Sequence, residues 1–184
     1  MLKIGITGSL ASGKTTASKI LSHRRGPLFS ADKIVNNLYK KNNFIKLLMK
    51  NFCILKKTQL KNILKNKVLE SKKNLTKLEK LIHPMVRREM KEFTTLHKRK
   101  NKIFYEIPLL LESKLTKYFD VIIFIKAKKS IRLKRFKARG GDEKLFNILN
   151  NKQFSEKDKI KLSNYVIVNE KNLNTLKKNL LSII

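Results

Sequence analysis

The chain has 184 residues, the length of one domain with room for an inserted sub-domain, and 41% of them are hydrophobic. A chain this size buries about 70% of the surface its unfolded form exposes, so it needs no metal or disulfide to fold. The hydrophobic content excludes a disordered tail, and the 6 Gly and 3 Pro exclude collagen-like and proline-rich classes. The net charge of +31 raises nucleic acid, anionic membranes and polyanionic substrates as partners.

Lysine supplies 36 of the basic residues and arginine only 8, and Lys, Ile and Asn together make up 72 of the 184 positions. All three have AT-rich codons, and the basic residues are scattered along the chain. Compositional drift therefore accounts for the charge more simply than a dedicated nucleic-acid surface, while attraction of anionic substrates fits either reading. Cys53 is the only cysteine, so there is no internal disulfide and no cysteine zinc site. Its apolar neighbourhood, Phe52-Cys53-Ile54-Leu55, reads as a buried or half-buried thiol. The N-terminus lacks a signal-peptide pattern, and no stretch nears 18 consecutive apolar residues, so the expectation is a soluble cytoplasmic protein with no membrane partner. Oligomeric state is left open.

In chain order, Leu2 to Thr7 is a short β-branched strand bounded by Gly8, followed by a helix from Thr15 to His23 that Arg24-Arg25-Gly26-Pro27 ends. Leu28-Phe29-Ser30 is a second strand. Residues 31 to 100 hold one Pro and no Gly, and their apolar residues recur at helical spacing, so they read as a helical insertion. Strands return at Lys102 to Ile107 and Asp120 to Ile125. A very basic helix covers 130 to 138, and Arg139-Gly140-Gly141-Asp142 breaks it. A last strand at Tyr165 to Val168 precedes a last amphipathic helix over 171 to 182. Strands alternating with helices, apolar along their whole length, predict an α/β fold on a parallel sheet buried on both faces.

Gly8-Ser9-Leu10-Ala11-Ser12-Gly13-Lys14-Thr15 matches the phosphate-binding pattern G-x-x-x-x-G-K-[ST], with a strand before it and a helix after it. Chance predicts roughly 0.004 occurrences in a chain of this composition. The glycines let the backbone wrap close to a phosphate with N–H groups pointing inward, and the helix beginning at Lys14 adds its positive dipole end. Lys14 reaches the β- and γ-phosphates of a nucleoside triphosphate, and the Thr15 hydroxyl takes Mg²⁺. The guanine-reading N-K-x-D is absent, because Asn66-Lys67 and Asn151-Lys152 continue differently. Large motor ATPases need far more chain. The small metabolite and nucleotide kinases remain, with an acceptor-binding helical insertion and a basic lid.

At this point the chain resembles the dephospho-CoA kinases. The resemblance runs nearly end to end on ordered motifs: Ile6 through Thr16; Ser30-Ala31-Asp32; Leu78-Glu79-Lys80-Leu81-Ile82-His83-Pro84-Met85-Val86-Arg87; Ile107-Pro108-Leu109-Leu110-Leu111-Glu112; Arg135 to Arg139; Gln153; and Tyr165 to Asn169. It implies a P-loop nucleoside-triphosphate hydrolase-like three-layer fold with a five-stranded parallel sheet, a helical acceptor-binding insertion about 34–100 and a lid about 138–156. It also implies ATP and Mg²⁺, with dephospho-CoA as the acceptor at its ribose 3′-hydroxyl, the last step of coenzyme A synthesis. Departures are Ser30 for the first carboxylate of the family's Asp-Ala-Asp, Ser163-Asn164 for an Ala-Asp pair, and Leu149 for an arginine.

Asp32, just past a strand at the sheet's carboxyl edge, is the candidate base and an acceptor-binding residue; the alternative, the N-cap of a helix starting at Lys33, is compatible with that role. By the resemblance, His83, Arg87, Pro108 and Leu109 bind the acceptor. His83-Pro84 could also simply mark a helix bend. Gly8, Ala11, Ser12, Gly13, Lys14, Thr15, Thr16, Arg135, Arg139 and Asn169 bind ATP, with Asn169 near the adenine. Arg135 and Arg139 are four apart and so share a helix face; in so lysine-rich a chain their guanidinium forks suit phosphate and charge on the transferring group, with a solvated basic helix as the alternative. Glu106 supports Mg²⁺ through water or is only a strand-end carboxylate. Two other functions fit a P-loop in a basic chain: another nucleotide or small-molecule kinase, and a nucleic-acid-binding ATPase. The second lacks an aromatic stacking platform.

Overall fold

The computed structural model describes residues 1–183. Strands β1 (Leu2–Gly8), β2 (Leu28–Ser30), β3 (Lys102–Glu106), β4 (Val121–Lys126) and β5 (Tyr165–Val168) form one sheet in the order β2-β3-β1-β4-β5. Every pairing is parallel. Ile103, Phe104, Tyr105, Ile123, Phe124 and Ile125 are all fully buried, as strands covered on both faces require. On one face Ile4, Ile6, Phe104, Ile123, Ile125 and Ile167 meet Ala17 and Leu21 of α1 (Lys14–Ser22) and Leu176 and Leu180 of α9 (Leu173–Leu181). On the other, the Tyr105 ring sits edge-on to Phe119 at 5.3 Å. Gly5 lies beneath Leu110 and Phe119, where an added Cβ would come within 2.6 Å of the Leu110 side chain. The register sets Ser30 opposite Glu106 and Glu106 opposite Ile6, so β1, β2 and β3 reach the sheet's carboxyl edge together.

Between β2 and β3 run α2 (Ala31–Leu38), α3 (Asn42–Phe52), α4 (Leu60–Glu70) and α5 (Lys72–Leu96). The chain divides into two compact units, one of Met1–Ala31 with the chain from Thr94 onward, the other Asp32–Phe93. The second unit has its own core, in which Leu38, Phe44, Ile45, Leu48, Phe52, Leu60 and Leu64 are buried. Pro84 lies inside α5; having no N–H, it leaves out one rung of the helical ladder without ending it. Cys53 departs from the sequence expectation: it is exposed. It closes α3 in the left-handed conformation (φ 50, ψ 52), its N–H donating to the Met49 carbonyl. The reversal turns Cys53 outward while Phe52 and Ile54 on either side are buried.

From β4 the chain passes through α6 (Lys129–Lys137), α7 (Glu143–Asn151) and α8 (Glu156–Lys161). Helix α6 stops at Lys137, so Arg139 does not share a helical face with Arg135; it sits in the turn before Gly140, whose φ is +80. The Asp142 and Ser155 side chains cap α7 and α8, accepting from the N–H groups of Leu145 and Asp158. Phe146 anchors α7, fully buried, against the Phe136 ring at 5.6 Å and the Arg132 guanidinium at 5.6 Å. Asn164 pairs with the backbone of Ile122 in both directions, through its Oδ1 and its own N–H. Its amide oxygen thus makes a contact that a carboxylate oxygen at this position could also accept.

Candidate active site

The loop from Gly8 to Thr15 leaves β1 at the carboxyl edge and enters α1 at Lys14. Its two motif glycines are required sterically before any phosphate is considered. At Gly8 a Cβ would stand 2.5 Å from Ser12 Oγ and 2.7 Å from the Ile125 carbonyl oxygen. Gly13 caps α1 at φ 95, and a Cβ there would overlap Asn169 Nδ2. Ala11 also holds a positive φ, 58. Ser12 Oγ is buried and has no hydrogen-bond partner among the described residues, an orphaned polar atom inside a loop of backbone donors. Lys14 is 9% exposed, while Thr15 and Thr16 open onto the surface.

Side chains from far along the sequence hold this loop. Leu10 is gripped at both ends of its backbone: its N–H donates to Gln153 Oε1 at 3.1 Å, and its carbonyl accepts from Arg132 Nη1 at 3.3 Å. The Ser12 carbonyl accepts from Asn169 Nδ2 at 2.8 Å and from Arg135 Nη1 at 3.4 Å. Arg132 donates further to Asn150 Oδ1 at 2.8 Å and the Ala127 carbonyl at 3.0 Å. Burial pushes its guanidinium below the usual arginine value, with Glu156 opposing the shift. Asn169, expected near an adenine, thus has its amide engaged with the loop.

Glu106 is 1% exposed. It accepts from Thr15 Oγ1 at 2.5 Å and from Ser30 Oγ at 2.9 Å, so the last residue of β3 touches both the phosphate loop and the end of β2. Ser30, which departs from the family's carboxylate, donates to Glu106 where a second carboxylate would set like charges side by side. Thr7 Oγ1 donates to the Pro108 carbonyl at 3.2 Å, and Pro108 and Leu109 are half-buried in the turn after β3. Asp32 is exposed in the first turn of α2, which begins at Ala31, so it is not the cap of a helix starting at Lys33. His83 and Arg87 are one turn apart on α5, half-buried and exposed respectively, on one face of that helix. The P-loop residues, Arg135, Asn169, Glu106, Pro108 and Leu109 all belong to the first unit; Asp32, His83 and Arg87 belong to the second.

The sequence reading missed a buried ion pair behind the loop. Lys159 of α8 is fully buried, and its Nζ lies 2.9 Å from Glu112 Oε1. Burial pushes the ammonium below the ordinary lysine value, with Glu112 opposing the shift. Glu112 closes a motif that the sequence reading noted, but Lys159 is one of 36 lysines and carries no signal of its own.

The sequence model of the dephospho-CoA kinase family matches residues 2–175. A dephospho-CoA kinase of Bartonella quintana is 32% identical, over 98% of this chain and 95% of its own. Among solved structures, that of TT1252 from Thermus thermophilus superposes with a TM-score of 0.79 at 26% identity, and that of the dephospho-CoA kinase from Campylobacter jejuni with 0.68 at 25%. Each covers 98% of this chain and 94% of the other. With a P-loop on a five-stranded parallel sheet and relatives matched over nearly its whole length, the chain belongs to the dephospho-CoA kinase family, which carries out the last step of coenzyme A biosynthesis.

Proposed function

We propose that this chain transfers the γ-phosphoryl group of ATP to the ribose 3′-hydroxyl of dephospho-CoA, with the nucleotide seated on the Gly8–Thr15 loop. The observation that carries the reading is the coupling of Thr15 to the buried Glu106 at the end of β3, inside a complete P-loop. The donor set suits a triphosphate: a close-approach backbone, a Ser12 hydroxyl in need of a partner, and Lys14 beside it. In this reading the acceptor oxygen bonds to the γ-phosphorus, the bond to the bridging β–γ oxygen breaks, ADP leaves, and the proton of the hydroxyl passes to Asp32.

Among the described residues no cluster of three or more His, Cys, Asp or Glu could hold a metal ion. Mg²⁺ takes most of its ligands from phosphate and water. Thr15 would hold it, with Glu106 orienting the Thr15 hydroxyl, and when bound it would offset charge on the phosphate oxygens. Lys14 and the Arg135 and Arg139 forks take the remaining phosphate charge. Asn169 serves the ATP site by holding the loop at Ser12. His83 and Arg87, with Pro108 and Leu109, receive the acceptor. Phosphoryl transfer from ATP to a panel of dephospho-CoA, AMP, CMP and RNA tests the proposal. Turnover with dephospho-CoA alone is expected, and preference for a nucleoside monophosphate or stimulation of hydrolysis by RNA would overturn it.

A further inference from the structure

The Lys159–Glu112 pair does more than fill space behind the loop. The Lys159 ammonium is fully buried, and a charge so placed persists only when it is paired and hydrogen-bonded. Glu112 Oε1 is one partner at 2.9 Å, and the same oxygen accepts from the Phe154 N–H at 3.0 Å. The other partner is Gln153 Oε1 at 3.1 Å, which also receives the Leu10 N–H. An ammonium only donates, so it obliges the Gln153 amide to present oxygen. With the amide flipped, its NH₂ would face an ammonium and a backbone N–H, three donors with no acceptor.

We infer that Lys159 is a positioning residue for the phosphate-binding loop: by fixing which end of the Gln153 amide faces Leu10, it locks the Leu10 backbone that Arg132 holds from the other side. The inference rests on the reading of this loop as the ATP site. A pair that only stabilised the fold would have no need of the loop's acceptor, and an apolar pair of similar volume would replace it at little loss.

The test is therefore the double variant Glu112→Leu with Lys159→Met. Lys159→Met alone strands a buried carboxylate and lowers Tm. The double variant removes both charges and returns Tm to near the parent value. Even so, KM for ATP is expected to rise about tenfold and hydrogen exchange at the Leu10 amide to quicken about tenfold, the worth of one hydrogen bond, while KM for dephospho-CoA stays within about twofold. Gln153→Met, which keeps the ion pair, should show the same ATP-specific defect and covers the case in which the double variant does not fold. Unchanged ATP KM and Leu10 exchange in whichever of these variants folds would overturn the lock. Parent protein that protects the Leu10 amide yet transfers no phosphate would instead sink the kinase reading and leave the lock standing.

Discussion

Asp32 is the only carboxylate in the first 69 residues, so no neighbour in that stretch can take over its proton. Its position in the first turn of α2 gives it a favourable but small interaction with the helix dipole, about 0.3–1 kcal/mol. Asp32→Asn keeps the size and forfeits that small term, so Tm should move little. If Asp32 is the base, ATP KM stays within a few-fold while kcat falls by about 10²–10⁴. Steady-state kinetics decide this, and a near-parent kcat would remove Asp32 from the chemistry. Gly13 makes a sharper steric case. An alanine there must hold φ 95, at roughly 1–2 kcal/mol, and must also displace the Asn169 amide from the Ser12 carbonyl. Gly13→Ala should thus lower Tm and weaken nucleotide binding by at least about tenfold, as titration with a fluorescent ATP analogue would measure. Binding at the parent affinity would mean that the cradle tolerates a shift that the geometry denies it.

At the scale of elements, burial decided what could be read in advance. The strands are legible because they are short, mostly apolar runs, unbroken where both faces are covered as in β4, and each lies within about two residues of its predicted position, although Tyr165 and Val168 of β5 are exposed. The helices of 31–100 are legible from their spacing, with each core position of α3 and α4 returning after three or four residues. Helices α7 and α8 were not read, although Asp142 and Ser155 are N-caps: α8 has 6 residues and buries little besides Lys159, and α7, as long as α1, buries only Phe146. Cys53 was misread because an apolar run does not reveal that one of its members ends a helix in the left-handed region. The site divides the same way. Its contiguous motif was plain, but the grip on Leu10 and Ser12 comes from side chains 122 to 157 residues away, and only packing makes those contacts. Helix α7 hangs on Phe146, whose ring fills the space between Phe136 and Arg132. Phe146→Ala should cost about 3–5 kcal/mol and free Arg132 from its stacking partner. Denaturant unfolding would register this, and a loss below about 1 kcal/mol would show that α7 is held by its caps and not by its core residue.

Over the whole molecule the +31 charge remains to be accounted for. Drift toward lysine explains how it arose but not what it does once present. Most of it sits on exposed lysines, and these are scattered along the sequence of both units. Charge so placed should have little to do with the proposed phosphoryl transfer itself, in which Lys14 and the loop N–H groups would act at contact distance, where screening is weak. It does act on the approach of small polyanions, and both proposed substrates, ATP and dephospho-CoA, are polyanions. Salt therefore separates the two effects. Raising ionic strength from about 0.05 to 0.5 M shortens the screening length from roughly 14 to 4 Å. kcat/KM for both substrates should then fall several-fold while kcat changes by less than about twofold. Added RNA at the lower salt should compete as a bulk polyanion without stimulating ATP turnover. A kcat/KM that stays flat across this range would mean that the excess lysine is kinetically silent. A fall in kcat as steep as that in kcat/KM would instead put the salt-sensitive charges inside the site.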